Sequence, residues 1–160
     1  MTLVNLAAAE TISVLGPTIQ FITPPDLGGD GPCVMRGSIP AGGMVPLHSH
    51  RDPETFYVLS GRAEVLEYSD DGFAWLPVGT GDLVHVPGSA KHAFRNGGSE
   101  PAVMLITSTE RIGAFFREIA TPGATWPPSP DALQRFLAAS ERYGYWNATP
   151  AENAAVGLVL

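Results

Sequence analysis

Cationic residues are scarce in this chain: nine Lys and Arg stand against 16 Asp and Glu, which leaves its 160 residues with a net charge of −7. The nine are scattered, so no basic patch exists to meet a phosphate backbone or an anionic lipid surface, and neither a nucleic-acid nor a membrane partner is expected. Cysteine is nearly absent as well. The single Cys33 has no internal partner for a disulfide, which fits a reducing compartment, and a small buried apolar role is expected for it. No window approaches the roughly 18 apolar residues that a membrane helix needs. The apolar stretch from Leu3 to Ala9 has no basic segment before it and no cleavage-like site after it. A cytoplasmic location is therefore expected, and Asn147-Ala148-Thr149 then marks only an exposed turn.

What the chain has in quantity is punctuation, 18 glycines and 15 prolines. A length of 160 residues suits one domain with a packed core. From Thr11 to Thr107 short apolar runs alternate with glycine breaks, and after Gly61 the breaks recur every 8–12 residues or so, the spacing of an all-β sandwich or barrel. Asp71-Gly72, between Arg62–Ser69 and Phe73–Val78, predicts a hairpin. Past Ser108 the period changes. Ile112, Phe115, Phe116 and Ile119 mark one face of a short helix, followed by a Pro-rich linker from Thr121 to Pro130. Ser129 as N-cap, Pro130 and Asp131 open a second helix, with Leu133, Phe136 and Leu137 on one side and Gly144 as its stop, expected to pack on the barrel. The apolar tail from Ala154 to Leu160 is open to docking on the same molecule or on a partner subunit, with fraying the default for a terminus. Residues 1–110 are thus read as the barrel and residues 111–160 as a helical extension.

The chemistry concentrates in Gly42-x5-His48-x-His50-x3-Glu54-x6-Gly61. Residues two apart on a strand share a face, so His48 and His50 project together, and Glu54 returns its carboxylate to them across a Pro-containing bend. A second segment, Gly81-x5-Pro87-x4-His92-x3-Asn96, offers a third histidine on a strand that an antiparallel fold can place alongside. A His-x-His pair alone also describes two half-buried surface histidines. Here the chain has only four histidines, and three of them fall into one pattern with one glutamate. Three nitrogens and an oxygen around one point suit a divalent transition metal at about 2.0–2.2 Å, with Fe, Mn, Ni, Co, Cu and Zn all compatible. His85, between Val84 and Val86, is expected at the surface if the valines point inward. Phe94 shares a face with His92, and Phe56 and Val58 share one with Glu54, so these three are candidate pocket walls. Asn96 is expected to close the turn after its strand. Trp75, Trp126 and Trp146 read as packing.

The two segments, residues 42–61 and 81–96, resemble the paired motifs of the cupin superfamily. The first matches at every defining position. The second carries Ser89 where the family usually has a glycine; a serine is disfavoured at positive φ, and the adjacent Gly88 is available to take that conformation over. Phe115-Phe116-Arg117-Glu118 and Arg142-Tyr143-Gly144 are similar to the tails of small monocupins of the quercetin-dioxygenase-like type. The resemblance implies a jelly-roll β-barrel with short C-terminal helices. It also implies one metal ion held by His48, His50, Glu54 and His92 with an open coordination position, and a homodimer. Glu54 would act both as ligand and as proton acceptor. The implied activity is dioxygenation of a small, largely apolar molecule inside the barrel. A metal-dependent isomerase, epimerase or lyase, and a non-enzymatic ligand-binding protein, remain open on the same residues.

Overall fold

The computed structural model describes residues 3, 5–23, 31–121 and 129–159; Trp126 and most of the expected linker lie outside them. After a 3-10 turn at Leu6–Ala8 the chain forms β1 (Thr11–Ser13), β2 (Thr18–Phe21), β3 (Pro32–Ile39), β4 (Met44–Ser49) and β5 (Glu54–Ser60). It continues through β6 (Arg62–Ser69), β7 (Gly72–Gly79), β8 (Leu83–Val86), β9 (His92–Arg95) and β10 (Ala102–Thr109). The C-terminal part adds α1 (Glu110–Ile119), α2 (Pro130–Tyr143), β11 (Trp146–Asn147) and α3 (Pro150–Ala155). Two antiparallel sheets face each other, ordered β1-β2-β3-β10-β5-β8 and β11-β4-β9-β6-β7, the jelly-roll barrel that the sequence predicts.

Alternation builds the core. On β3, Cys33, Met35 and Ile39 are buried while their neighbours face outward, and on β5 the buried set is Glu54, Phe56 and Val58. β10 sits between these two strands, placing Met104 and Ile106 in the same apolar interior. Gly61 turns β5 into β6 at φ +79°, and a Cβ there would lie 2.3 Å from the Pro101 carbonyl oxygen, so only glycine closes this corner. The predicted hairpin is present with its turn one residue earlier: Asp70-Asp71 are the turn, and Gly72 already pairs with Ser69.

The C-terminal segment corrects three expectations. In α2 the packed positions are Ala132, Phe136, Ala139 and Ser140, whereas Leu133 and Leu137 are 44% and 49% exposed. The helix packs on α1 and β11 rather than directly on the barrel, with the Phe136 ring 6.1 Å from that of Phe115. The extension is not purely helical, since β11 joins the five-stranded sheet with Asn147 opposite His48. Asn147 is consequently half-buried rather than at an exposed turn. The tail, finally, docks on its own barrel. His48 and His92 face the interior, so their neighbours Leu47 and Ala93 point to the other side of the sheet, where Val156 and Leu158 cover them together with Leu66. A Thr149–Glu152 capping box starts α3, and the fully buried Asn153 accepts from the Leu47 backbone N–H at 2.9 Å. Trp75 and Trp146 pack beside this cluster, and Trp75 Nε1 donates to the Val156 carbonyl at 2.8 Å.

Candidate metal centre

His48 on β4 pairs in register with His92, the first residue of β9. His50 lies one residue beyond β4, and Glu54 opens β5 on the opposite sheet. The fold thereby brings all four together at one end of the interior, with one nitrogen or oxygen of each within 4.8 Å of the others. Glu54 Oε2 lies 3.1 Å from His50 Nε2 and 3.2 Å from His92 Nε2. The imidazole centroids of His48 and His92 are 4.1 Å apart.

Backbone carbonyls orient the imidazoles. His48 Nδ1 donates to Pro46 O at 2.8 Å, His50 Nδ1 to Asp52 O at 2.8 Å and His92 Nδ1 to Ala90 O at 2.9 Å. A carbonyl only accepts, so each Nδ1 carries a proton, and a ring in its neutral form presents a lone pair at Nε2. Three such lone pairs and a carboxylate then face one another in a buried space, an arrangement that repels itself unless a cation or added protons lie between. This donor set fits a divalent transition metal, and the carbonyl contacts are the outer support that metal-binding histidines require.

The electrostatics show where an added proton goes: burial would lower His50, but the hydrogen bond and charge of Glu54 outweigh it and raise that ring. Burial, reinforced by the neighbouring His92 and His50, lowers His48 to about 3 and keeps it neutral. Burial would raise Glu54, but hydrogen bonds and charge from His50 and His92 outweigh it and hold the carboxyl at about 2.

Of the candidate walls, Phe56 and Phe94 line the adjoining cavity, their rings 4.7 Å apart. Val58 does not. It is fully buried, but it lies two residues further along β5 from the metal end than Phe56, so it belongs to the core beneath the cavity floor. His85 is exposed, its Nδ1 3.0 Å from Thr55 Oγ1, with Val86 buried beneath. Cys33 is fully buried under α1, where a Cβ on Gly113 would meet its Sγ at 2.7 Å. Asn96 closes its turn, donating to Ile39 O and Glu100 O and accepting from Gly98 N.

Gly88 does not take over the left-handed conformation; Ser89 itself sits at φ +69°, with its N–H donating to His50 O at 2.6 Å. Gly88 is needed for another reason, because a Cβ there would lie 2.3 Å from Arg51 O. Ser89→Gly removes a left-handed cost of about 1–2 kcal/mol against a glycine entropy cost of about 0.5–1 kcal/mol, so it should stabilise the fold by about 0.5–1 kcal/mol. A higher urea midpoint at unchanged slope is the expected readout, and an unchanged or lower midpoint would contradict this account.

The sequence reading missed the support of His50. Asp52, whose carbonyl orients that ring, buries its side chain: Oδ1 accepts from Thr109 Oγ1 at 2.6 Å, and Oδ2 from Arg111 Nη1 and the Tyr145 hydroxyl at 3.0 Å each. Arg111 also donates to Tyr143 O, and the Tyr145 ring lies 5.2 Å from that of His50. One carboxylate thus ties the metal loop to the start of α1 and to the chain after α2. An acid flanked by two ligands of the first motif was the available signal, but its partners lie 57 to 93 residues away.

Comparison with known proteins places the chain. Residues 35–108 match the model of the cupin domain. Among solved structures, the polyketide cyclase RemF from Streptomyces resistomycificus superposes with a TM-score of 0.61 at 21% identity, over 68% of this chain and 79% of that one. An oxalate decarboxylase variant from Bacillus subtilis gives 0.56 at 22% identity, over 68% of this chain and 30% of that one. The Schizosaccharomyces pombe Cnp3 cupin domain gives 0.54 at 16% identity, over 68% of this chain and 78% of that one. No curated protein matches the chain. No helix among the described residues is long and apolar enough to cross a membrane. With the barrel, both motifs and the His-His-Glu-His cluster in place, residues 35–108 form a cupin domain.

Proposed function

We propose that the protein is a metal-dependent dioxygenase acting on a small, largely apolar organic molecule, with His48, His50, Glu54 and His92 as metal ligands and Phe56 and Phe94 as pocket wall. The observation that carries this reading is the convergence of three Nε2 lone pairs and a carboxylate on one end of an apolar cavity. A divalent transition metal held by these residues supplies Lewis acidity to a substrate oxygen and, when redox-active, electrons to dioxygen. The chain does the rest. The carbonyl-bound Nδ1 protons fix the ring orientations. Phe56 and Phe94 displace water from the space beside the cluster and hold an apolar substrate against it. Glu54 accepts the substrate proton at Oε2, which requires release from the His50 and His92 contacts that favour its charged form.

A homodimer belongs to the same reading, and sedimentation of a single 16.9 kDa species would remove it. The likeness to a polyketide cyclase favours a second reading, non-redox isomerase- or lyase-type carbonyl chemistry on the same residues. Oxygen-electrode traces with enols and 1,3-diketones separate the two. Dioxygen uptake stoichiometric with substrate loss is expected. Turnover without uptake would favour the carbonyl chemistry, and saturable binding without any product would leave a ligand-binding protein.

A further inference from the structure

The cavity beside the histidine cluster encloses about 130 Å³. An apolar cavity of roughly 150 Å³ takes up one benzene molecule, so this space suits a single ring and not a fused or linked pair. Its wall is mostly carbon, contributed by residues such as Met44, Met104, Phe115 and Phe116. The C-terminal segment adds the polar residues Ser140, Tyr145 and Asn147 to the wall, with Tyr145 and Asn147 beside the cluster. The Tyr145 hydroxyl is already spent on Asp52.

Ser140 differs. It is 2% exposed, and its Oγ has no hydrogen-bond partner among the described residues. A serine within a helix ordinarily bonds back to the carbonyl of the preceding turn, and a buried hydroxyl left unpaired costs stability. Such exceptions call for an explanation. The residue lines the cavity, whose wall is mostly carbon.

We infer that Ser140 is the specificity-determining hydrogen-bonding residue of this cavity, and that the ligand is a one-ring molecule with one oxygen function for the metal cluster and a second for the Ser140 hydroxyl. The first oxygen rests on the metal reading of the site; the second rests on Ser140 alone. Flavonols, which carry three rings, are excluded by the same volume.

The test is calorimetry under nitrogen on metal-free and Zn(II)-loaded protein, with phenol, the three dihydroxybenzene isomers and 2-naphthol as probes. One dihydroxybenzene should bind about tenfold tighter than phenol, the gain of one well-made hydrogen bond, and 2-naphthol should not bind. In Ser140→Ala that tenfold preference should fall to about one. The same substitution removes an unpaired buried hydroxyl, so the Tm of the metal-free variant should rise by about 2–4 °C. A lower Tm would show that the hydroxyl has a partner and would overturn the inference. So would a preference that survives in Ser140→Ala, 2-naphthol binding as well as phenol, or no binding by any probe. Probe affinities that ignore zinc while the Ser140 preference persists would instead remove the metal reading and leave the role of Ser140 standing.

Discussion

His92→Ala is expected to lose stoichiometric metal, with an affinity loss greater than the roughly 10–100-fold that follows when an outer-shell partner is removed. The residue supplies one of three nitrogens, and its alanine leaves Glu54 Oε2 without its contact at 3.2 Å. His48→Ala should behave alike, because His48 faces His92 across the paired strands. His85→Ala is the internal control. His85 is exposed and bonded to Thr55 on the outer face, so its loss should leave metal content unchanged. Metal analysis after exhaustive dialysis, with circular dichroism to verify the fold, reads all three variants. Full occupancy in His92→Ala would end the assignment of this cluster as a metal centre.

The second large effect is on stability. Asp52→Ala should cost about 2–4 kcal/mol, since it leaves the buried end of an ion pair and two hydroxyl donors without an acceptor. The lower part of the range reflects the partial exposure of Arg111, 28% for its side chain. Urea unfolding measures the loss, and a change below about 0.5 kcal/mol would mean that the Thr109, Arg111 and Tyr145 contacts are replaced by water without penalty.

The same residue sets a pH dependence. Burial would raise the Asp52 carboxyl, but hydrogen bonds from Thr109, Tyr145 and Arg111 hold it below its usual range. A depressed folded pKa contributes stability that is complete above the unfolded value, about 3.9, and is lost as pH falls through the folded value. Wild-type stability should therefore drop below about pH 4 by more than that of Asp52→Asn, which has no proton to take up at this position. Parallel acid profiles for the two proteins would show that Asp52 is not the group responsible.

The four clustered residues were readable because a strand repeats every two residues: His48 and His50 had to share a face, and Glu54 and Phe56 likewise. The glycine-bounded spacing carried the resemblance that joined His92 to them. The second helix was misread for a related reason. Hydrophobicity along α2 pointed to Leu133, Phe136 and Leu137, but of these only Phe136 packs inward, beside Ala132, Ala139 and Ser140, because the surface that α2 meets is made by residues elsewhere in the chain. Val58 shows the limit of periodicity in the other direction. Its face was right, yet depth along the strand separates the core from the cavity, and alternation holds no information about depth.

Local order along the chain was enough to specify an all-β sandwich or barrel with late helices and which side chains could meet a metal, since turns and alternation are short-range effects. Contacts between distant segments decided the rest: Asp52 receiving Arg111 and Tyr145, the tail sealing the outer face over Leu47 and Ala93, and Ser140 on the cavity wall without a partner among the described residues. Each depends on the shape and polarity of a partner surface that exists only after the two sheets have closed on each other, and so none is written in the spacing of neighbouring residues.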